Sequence, residues 1–246
     1  MAARQDNFNN PLILAIETSG RLGSVAIAQG EKLLGDKHFT GPMRHSAEVF
    51  PAILGLLEQF DRKPADIKQV YLSIGPGSFT GLRIAVTIAK TMALANGAKI
   101  VAVDTLDCIA ANVINFTQPE IERLAVILDA KRGQFFVAVY EKTQDPRPKT
   151  QDPIWEKTLP DCLMTADEFS GRLTDKPIAL IGEGLVYYKD QFNNTAVRVL
   201  DEKYWNPSAA NVHKLGWELA RQGRFADPIA LTPNYIRGPD VKIKQI

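Results

Sequence analysis

The chain has 246 residues, which is enough for one large domain or two small ones, and its 45% hydrophobic and 23% charged residues are typical of a soluble globular protein. Its 29 basic and 28 acidic residues give a formal net charge of +1, which disfavours strong binding of nucleic acid by the chain alone. The cysteines Cys108 and Cys162 lie far apart, the polar N-terminal segment lacks the apolar core of a signal peptide, and no apolar segment is long enough to span a membrane. We therefore expect a cytoplasmic protein with reduced thiols and no membrane segment.

The first half of the chain predicts three strands, followed by helices that alternate with further strands. Continuous apolar runs predict strands that are buried on both faces, and a stripe of apolar residues at helical spacing predicts each helix. The predicted elements are strands at 12–16, 24–28 and 31–39, a helix at 46–60, a strand at 69–74, a helix at 78–96 capped by Gly97, a strand at 99–103 and a helix that begins near Asp104.

The second half repeats part of this order. Strands are expected at 124–129 and 134–140, and Gly182–Gly184 ends a further strand as Gly75–Gly77 ends one in the first half. Such a duplication is typical of the α/β, actin-like (ASKHA) fold, in which two lobes, each a mixed sheet flanked by helices, face each other across a cleft.

The boundary between the two lobes is predicted in the polar segment that follows the helix after residue 104. We assign residues 1–115 to the N-terminal lobe and residues 116–246 to the C-terminal lobe. The last predicted helix ends near Arg221, and we leave open that it packs back on the first lobe. Residues 143–159 carry three prolines and predict a long hairpin loop inside the second lobe.

The segment Gly75–Arg83, with the sequence GPGSFTGLR, lies between a predicted strand and a predicted helix. Free backbone N–H groups and the helix dipole at such a junction suit a phosphate group. The segment matches neither the P-loop, because Leu82 follows the last glycine, nor the dinucleotide pattern, because Thr80 stands where that pattern has a glycine. The alternative is that the glycines allow a tight turn and close packing of the helix on the sheet. The residues of this glycine-rich turn are Gly75, Gly77, Ser78, Thr80 and Gly81.

The helix at 78–96 is apolar around more than half of its circumference and contains no acidic residue. A helix that only covers a sheet needs a narrower apolar stripe. Gly81, Ala85, Ala89 and Ala93 also form a ridge of small side chains that another helix could approach closely. The excess apolar surface indicates either a partner interface or a helix enclosed within its own lobe.

The preceding helix has a broad apolar arc once Phe50 and Leu54 are included. His45 at its start suits a metal ligand or a general base, but no second histidine stands at helical spacing, and the alternative is a hydrogen bond at the helix end. We predict no metal site in this chain. The residues predicted for a partner interface on the two helices are His45, Ser46, Val49, Phe50, Ile53, Leu57, Leu82, Ala85, Val86, Ala89, Met92 and Ala93.

Glu17 and Asp129 occupy matched positions at strand ends in the two half-repeats, and we expect both to face the cleft. Acids at these positions either help to hold a metal–phosphate group or remain as architecture without a catalytic role. Gly182 and Gly184 either approach a nucleotide or only turn the chain. Together these residues are the predicted vestigial nucleotide cleft.

Three segments resemble a known family. They are ILAIETS at 13–19, RHS at 44–46 and SIGPGSFTGLRI at 73–84. With them the sequence resembles the TsaB (YeaZ) family, the dimerisation subunits of the bacterial tRNA threonylcarbamoyladenosine system. The resemblance is strong over about 12–111, and PNYIR at 233–237 is similar to a C-terminal signature of the family.

The resemblance implies the actin-like fold and a non-catalytic role. Family members pair with the catalytic paralogue TsaD, with TsaE as an ATPase partner, in the complex that transfers a threonylcarbamoyl group to N6 of adenosine 37 in tRNAs that read codons beginning with A. This implies that metal and nucleotide are held by partner subunits rather than this chain, and that tRNA is met only through the complex. The pairing surface is expected on the first two helices, and homodimerisation of the isolated chain is left open.

A second class of function is an actin-like nucleotide-dependent enzyme, such as an ATPase, a small-molecule kinase or a metalloprotease-like hydrolase. In TsaD a His-x-x-x-His pair holds the metal, and here Val49 stands where the second histidine would follow His45. That difference disfavours the hydrolase, and the missing phosphate-anchoring lysine offers the kinase no support.

Overall fold

The computed structural model describes residues 10–114, 121–143, 154–172, 176–192 and 195–237, and these residues form two lobes with one five-stranded sheet each. The strands of the first sheet are β1 (Leu12–Glu17), β2 (Ser24–Gln29), β3 (Lys32–His38), β4 (Ile67–Ser73) and β5 (Lys99–Val103). They lie in the order β3-β2-β1-β4-β5, with β1, β2 and β3 antiparallel and β1, β4 and β5 parallel.

The second sheet repeats this topology. Its strands are β6 (Arg123–Asp129), β7 (Gln134–Thr143), β8 (Ile154–Thr165), β9 (Ile178–Ile181) and β10 (Val197–Val199). The order β8-β7-β6-β9-β10 again joins an antiparallel half to a parallel half at the first strand of the repeat. The internal duplication predicted from the sequence is therefore present in the sheets.

The described α-helices are α1 (His45–Gln59), α2 (Phe79–Asn96), α3 (Thr105–Ile114), α4 (Ala166–Ser170), α5 (Leu185–Tyr188) and α6 (Ala209–Arg221). Short 3-10 turns lie at Pro64–Asp66, Lys189–Gln191 and Glu202–Tyr204. No helix in the described ranges combines the length and the apolar character that crossing a membrane requires.

Helices cover both faces of the first sheet, which explains why β1 is buried along its whole length. Leu14 and Ile16 point to the face covered by α1 and α2, whereas Ile13 and Ala15 point to the face covered by α6. A continuous apolar strand is stable here because each alternate side chain meets a helix.

The two lobes are joined by α3 and α6. Leu106 and Ile109 of α3 belong to the core of the second sheet, while α6 packs against β1, β2, β4 and β5 of the first sheet. Asn211 of α6 donates a hydrogen bond to Asn112 of α3 at 2.6 Å, which ties the two helices together. The lobe boundary predicted at residue 115 falls in 115–120, outside the described residues, and stays a prediction.

The prediction of a loop over residues 143–159 is wrong at its C-terminal end. β8 begins at Ile154, and Trp155 and Lys157 pair with Lys142 and Tyr140 of β7. The mixed polar and apolar sequence did not indicate a strand, because this strand depends on hydrogen bonds to β7 rather than on an apolar run. Residues 144–153 lie outside the described residues.

Candidate functional site: the interlobe cleft and the first two helices

A cleft of about 870 Å³ lies between the lobes. The first lobe contributes the loop after β1 and the start of α2, the second lobe contributes the turn between β6 and β7, and the C-terminal segment contributes a third wall. Polar and charged side chains that line it include Arg21, Ser78, Asp129, Lys131, Arg132, Glu183 and Arg237.

The glycine-rich turn brings α2 against the backbone at the end of β1. Gly75 has a φ of +120°, which favours glycine, and a Cβ at Gly77 would lie 2.5 Å from Ser19 O. A Cβ at Gly81 would lie only 1.8 Å from Thr18 O, and Ser78 caps α2 by accepting a hydrogen bond from Gly81 N at 3.3 Å. These contacts support the packing interpretation of the turn. Thr80 and Ser78 line the cleft, where phosphate binding is the less favoured of the two interpretations.

Glu17 is wholly buried and does not line the cleft. Its Oε1 accepts hydrogen bonds from Ser19 N at 2.6 Å and Ser19 Oγ at 2.5 Å, and its Oε2 accepts one from Ser73 Oγ. Burial raises the pKa of the Glu17 carboxyl, against these hydrogen bonds, which lower it. The expectation that Glu17 faces the cleft is therefore wrong, because the carboxyl is turned into the lobe by its serine donors.

Asp129 lines the cleft, but its carboxylate holds the turn between β6 and β7. It accepts hydrogen bonds from Lys131 N at 2.9 Å and from Tyr188 Oη at 3.1 Å, and Lys131 Nζ lies 2.5 Å from its Oδ2. The Asp129 side chain is only 6% exposed, and its oxygens have a local role in the turn.

Gly182 and Gly184 are buried against β6 instead of lining the cleft. A Cβ at Gly182 would lie 2.0 Å from Ile127 O, and one at Gly184 would lie 3.1 Å from the same oxygen. Their missing side chains make room for β6, which supports the alternative that these glycines only turn the chain. Glu183, between them, does line the cleft.

Glu183 is a cleft residue that the sequence reasoning missed. Its Oε2 accepts a hydrogen bond from Arg21 N at 2.8 Å, so it connects the second lobe to the first. Burial raises the pKa of the Glu183 carboxyl, while the hydrogen bond from Arg21 lowers it. The cleft residues Arg21 and Arg132 were missed as well.

His45 is buried at the start of α1, where its Nε2 lies 3.0 Å from Gly20 O and its ring packs 5.8 Å from that of Phe39. Burial lowers the pKa of its imidazole. The geometry agrees with a hydrogen-bonding residue at the helix end. Across the residues that the structure describes, no group of three or more His, Cys, Asp or Glu side chains is arranged to hold a metal ion.

Most of the predicted partner interface is core of the first lobe. α2 packs on β4 and β5 and against α1, so Gly81, Ala85 and Ala89 of the ridge are buried within the lobe, whereas Ala93 is half-buried. This burial supports the alternative that small side chains serve close packing inside the lobe, and contact of a partner with these two helices stays a prediction. The buried members of the predicted interface are His45, Val49, Ile53, Leu57, Leu82, Ala85, Val86 and Ala89.

Both helices also carry exposed apolar side chains, Phe50 and Leu54 on α1 and Phe79 and Leu94 on α2. Of the predicted interface, Ser46 and Phe50 are exposed, whereas Met92 and Ala93 are half-buried. Phe50 is 56% exposed, and Leu54, one turn further along α1, is 55% exposed. We call Phe50 and Leu54 the α1 apolar pair.

Known proteins resemble the chain over nearly its whole length. The tRNA threonylcarbamoyladenosine biosynthesis protein TsaB of Bacillus subtilis (strain 168) is 30% identical over 239 residues, which cover 95% of this chain and 97% of that protein. The TsaB protein of Escherichia coli (strain K12) is 23% identical over 228 residues, covering 92% of this chain and 94% of that protein. The family model of TsaD, tRNA N6-adenosine threonylcarbamoyltransferase, matches residues 42–159.

The solved structure of YeaZ from Pseudomonas aeruginosa superposes on the chain with a TM-score of 0.75 at 20% sequence identity, covering 92% of this chain and 99% of that chain. This likeness and the TsaD match confirm the predicted actin-like fold with one mixed sheet in each lobe. Because the B. subtilis protein is 30% identical and matched along almost all of both chains, the chain belongs to the TsaB family.

Proposed function

We propose that this chain is a non-catalytic subunit of the complex that transfers a threonylcarbamoyl group to N6 of adenosine 37 in tRNAs reading codons that begin with A. In this proposal it works in the cytoplasm, binds and activates a TsaD-type catalytic paralogue, and meets tRNA only within the complex, with a TsaE-type ATPase as a further partner. The observation that carries the proposal is the 30% identity, over 95% of the chain, to a TsaB protein named for tRNA threonylcarbamoyladenosine biosynthesis.

The non-catalytic role is supported by the surroundings of the two best candidate catalytic side chains. Glu17 and His45 are both buried, and their polar atoms contact Ser19, Ser73 and Gly20 of their own lobe. A general acid or base must come within hydrogen-bond reach of the proton that it transfers. We therefore assign the chemistry, together with the metal and the nucleotide, to the partner subunits.

The α1 apolar pair supports the pairing role. Large apolar side chains on a surface gain free energy when a partner removes them from water. Phe50 and Leu54 lie one helical turn apart, so they project from the same face of α1. We infer that the TsaD-type paralogue covers this face.

The proposal is tested by reconstitution of tRNA modification with the TsaD-type and TsaE-type partners and a supply of threonylcarbamoyl-adenylate, with modified tRNA measured by mass spectrometry. Omitting this chain should abolish modification. His45→Ala and Glu17→Gln should each leave the rate within about tenfold, below the 10²–10⁴ typical of a lost general acid or base. A loss of about a thousandfold from either variant, with assembly intact by size exclusion, would assign chemistry to this chain.

The cleft favours one second candidate, an actin-like nucleotide-dependent enzyme, because Arg21 and Lys131 bring cationic side chains to it. Titration of the purified chain with a fluorescent ATP analogue and Mg²⁺ separates the two functions. Saturable binding with hydrolysis would favour the enzyme, and unchanged fluorescence would favour the subunit.

A further inference from the structure

After α6 the chain returns across the first lobe as an extended segment. Ala226 N donates a hydrogen bond to Ile100 O at 2.8 Å and forms an antiparallel bridge with the edge strand β5. Leu231 is buried in the core of the first lobe, and Asn234 N donates to Ile74 O at 2.7 Å. Residues 226–234 are therefore fastened to the first lobe by backbone hydrogen bonds and apolar burial.

At the cleft the segment packs on the first turn of α2. The ring of Tyr235 lies 5.1 Å from that of Phe79, and the guanidinium of Arg83 lies 3.7 Å from the centre of the Phe79 ring. Arg83 Nε also donates a hydrogen bond to Tyr235 Oη at 3.1 Å. The fit is close, since a Cβ at Gly75 would lie 2.6 Å from Asn234 O.

Two residues further on, Arg237 reaches the second lobe. Its guanidinium donates to the backbone oxygens of Ala130 and Lys131, the latter at 3.4 Å, and to the side-chain oxygen of Gln134. A guanidinium suits this arrangement because its donors project in a fixed, planar fork. One side chain thus spans the turn between β6 and β7.

That turn has an unusual backbone. Lys131 and Arg132 have φ values of 64° and 60°, and Gly133 follows with a φ of 72°. Residues with side chains adopt this left-handed conformation only where their surroundings hold them in it. Arg237 on one side and the Asp129 carboxylate on the other supply that support.

We propose that residues 226–237 form a latch that sets the angle between the lobes by fastening the first lobe to the turn between β6 and β7. The helices α3 and α6 join the lobes at one place, and the latch joins them at the cleft, beside the hydrogen bond from Arg21 N to Glu183. Two separate connections restrict rotation between two bodies, whereas one connection leaves a hinge. The chain's own C-terminal segment thereby restricts the width of the cleft, in addition to the hydrogen bond from Arg21 N to Glu183. This proposal concerns the isolated chain and does not depend on the proposed function.

The latch is tested by measuring the distance between the lobes with pulsed electron paramagnetic resonance. Spin labels are placed on the full chain at the exposed positions Glu58 and Asp167, as Glu58→Cys and Asp167→Cys, with Cys162→Ser to remove the accessible thiol. The parent should give one narrow distance distribution. Arg237→Ala should shift it to longer distances and broaden it.

The matched control is Arg62→Ala, which removes a guanidinium whose hydrogen bond to Gln29 stays within the first lobe. Its distribution should coincide with that of the parent. A distribution for Arg237→Ala that coincides with the parent's would overturn the proposal. If Arg237→Ala does not fold, Arg237→Lys decides, because lysine keeps the charge and loses the fork: a broadened distribution supports the latch, and an unchanged one overturns it.

Discussion

Burial governs the protonation of Glu17, the acid at the end of β1. Because the folded-state pKa is raised above the ordinary value of 4.5, the folded chain binds this proton more tightly than the unfolded chain does. The stability that the proton provides is complete below pH 4.5 and is lost as the pH rises through the folded-state pKa. Ionisation of Glu17 therefore lowers the free energy of unfolding.

We expect Glu17→Gln to remove the loss of stability that accompanies ionisation, because glutamine keeps the shape of the side chain and cannot ionise. Its carbonyl oxygen accepts from Ser19, and the Ser73 hydroxyl can turn to accept from its amide. The free energy of unfolding, measured with urea, should rise relative to the parent between about pH 5 and about pH 8. Glu58→Gln on the exposed face of α1 is the control, with differences within about 0.5 kcal/mol at both pH values. A constant difference for Glu17→Gln would contradict the prediction.

The two buried histidines make the free energy of unfolding depend on pH in the opposite direction to Glu17. Burial lowers the pKa of His45 and of His213, against hydrogen bonds to Gly20 O and Gly30 O. Since both folded-state pKa values lie below the ordinary 6.5, the stability from the neutral rings is complete above pH 6.5 and is lost as the pH falls through those values.

His45→Gln keeps a donor for Gly20 O and does not titrate, so its free energy of unfolding should fall less than the parent's between about pH 7 and about pH 5. Equal slopes for variant and parent in urea titrations would refute this account.

At the scale of elements, we expect replacement of a helical glycine by alanine to change the free energy of unfolding in opposite directions in α1 and α2. A Cβ at Gly81 of α2 would meet Thr18 O at 1.8 Å, and that oxygen belongs to a buried backbone that has little room to move. We expect Gly81→Ala to lower the free energy of unfolding by about 3 kcal/mol. Gly55 lies on the exposed face of α1, where a Cβ would come no closer than 4.0 Å to Lys37 Nζ, so Gly55→Ala should raise it by about 0.5–1 kcal/mol. Urea denaturation checks both, and equal effects would contradict the packing assigned to α2.

A charge on the buried face of α2 and a charge on the exposed face of α1 should have different effects, the first on stability and the second on binding. Ala89→Glu places an unpaired carboxylate in a site with 0% exposure, and it should destabilise the free chain by about 3 kcal/mol or more. Phe50→Glu, on the α1 apolar pair, should change stability by less than about 0.5 kcal/mol while weakening binding to the TsaD-type paralogue at least about tenfold. Thermal denaturation and isothermal titration calorimetry measure the two quantities. Unchanged affinity for Phe50→Glu would move the pairing surface away from this face.

At the scale of the whole molecule, the acids at the matched strand ends of the two sheets lie in separate hydrogen-bond networks. Asp129 is bonded to Lys131, and Glu17 is bonded to two serines, so the acids at the matched strand ends do not converge. We expect the isolated chain to carry no stoichiometric divalent metal. Elemental analysis of protein purified without an affinity tag measures this, and one equivalent of zinc or iron per chain would disprove it.

The order of strands and helices could be predicted from the sequence because it rests on local properties. The apolar run at β1 predicts a strand buried on both faces, and Gly97 ends α2 in the left-handed conformation expected of a capping glycine, with a φ of 67°. β8 was missed since its pairing with β7, and not its own apolar content, makes it a strand.

The sequence by itself determined the actin-like fold, the family and the existence of broad apolar arcs on α1 and α2. Only the tertiary structure decided which apolar side chains are buried within the lobe and which are exposed: Ala85 and Ala89 lie inside the first lobe, whereas Phe50 and Leu54 face outward. Periodicity specifies the angle between side chains around a helix, but not what covers each side. The contacts of Arg21 with Glu183 and of Arg237 with Gln134 join residues more than a hundred positions apart, and such pairs exist only because the folded lobes bring them together.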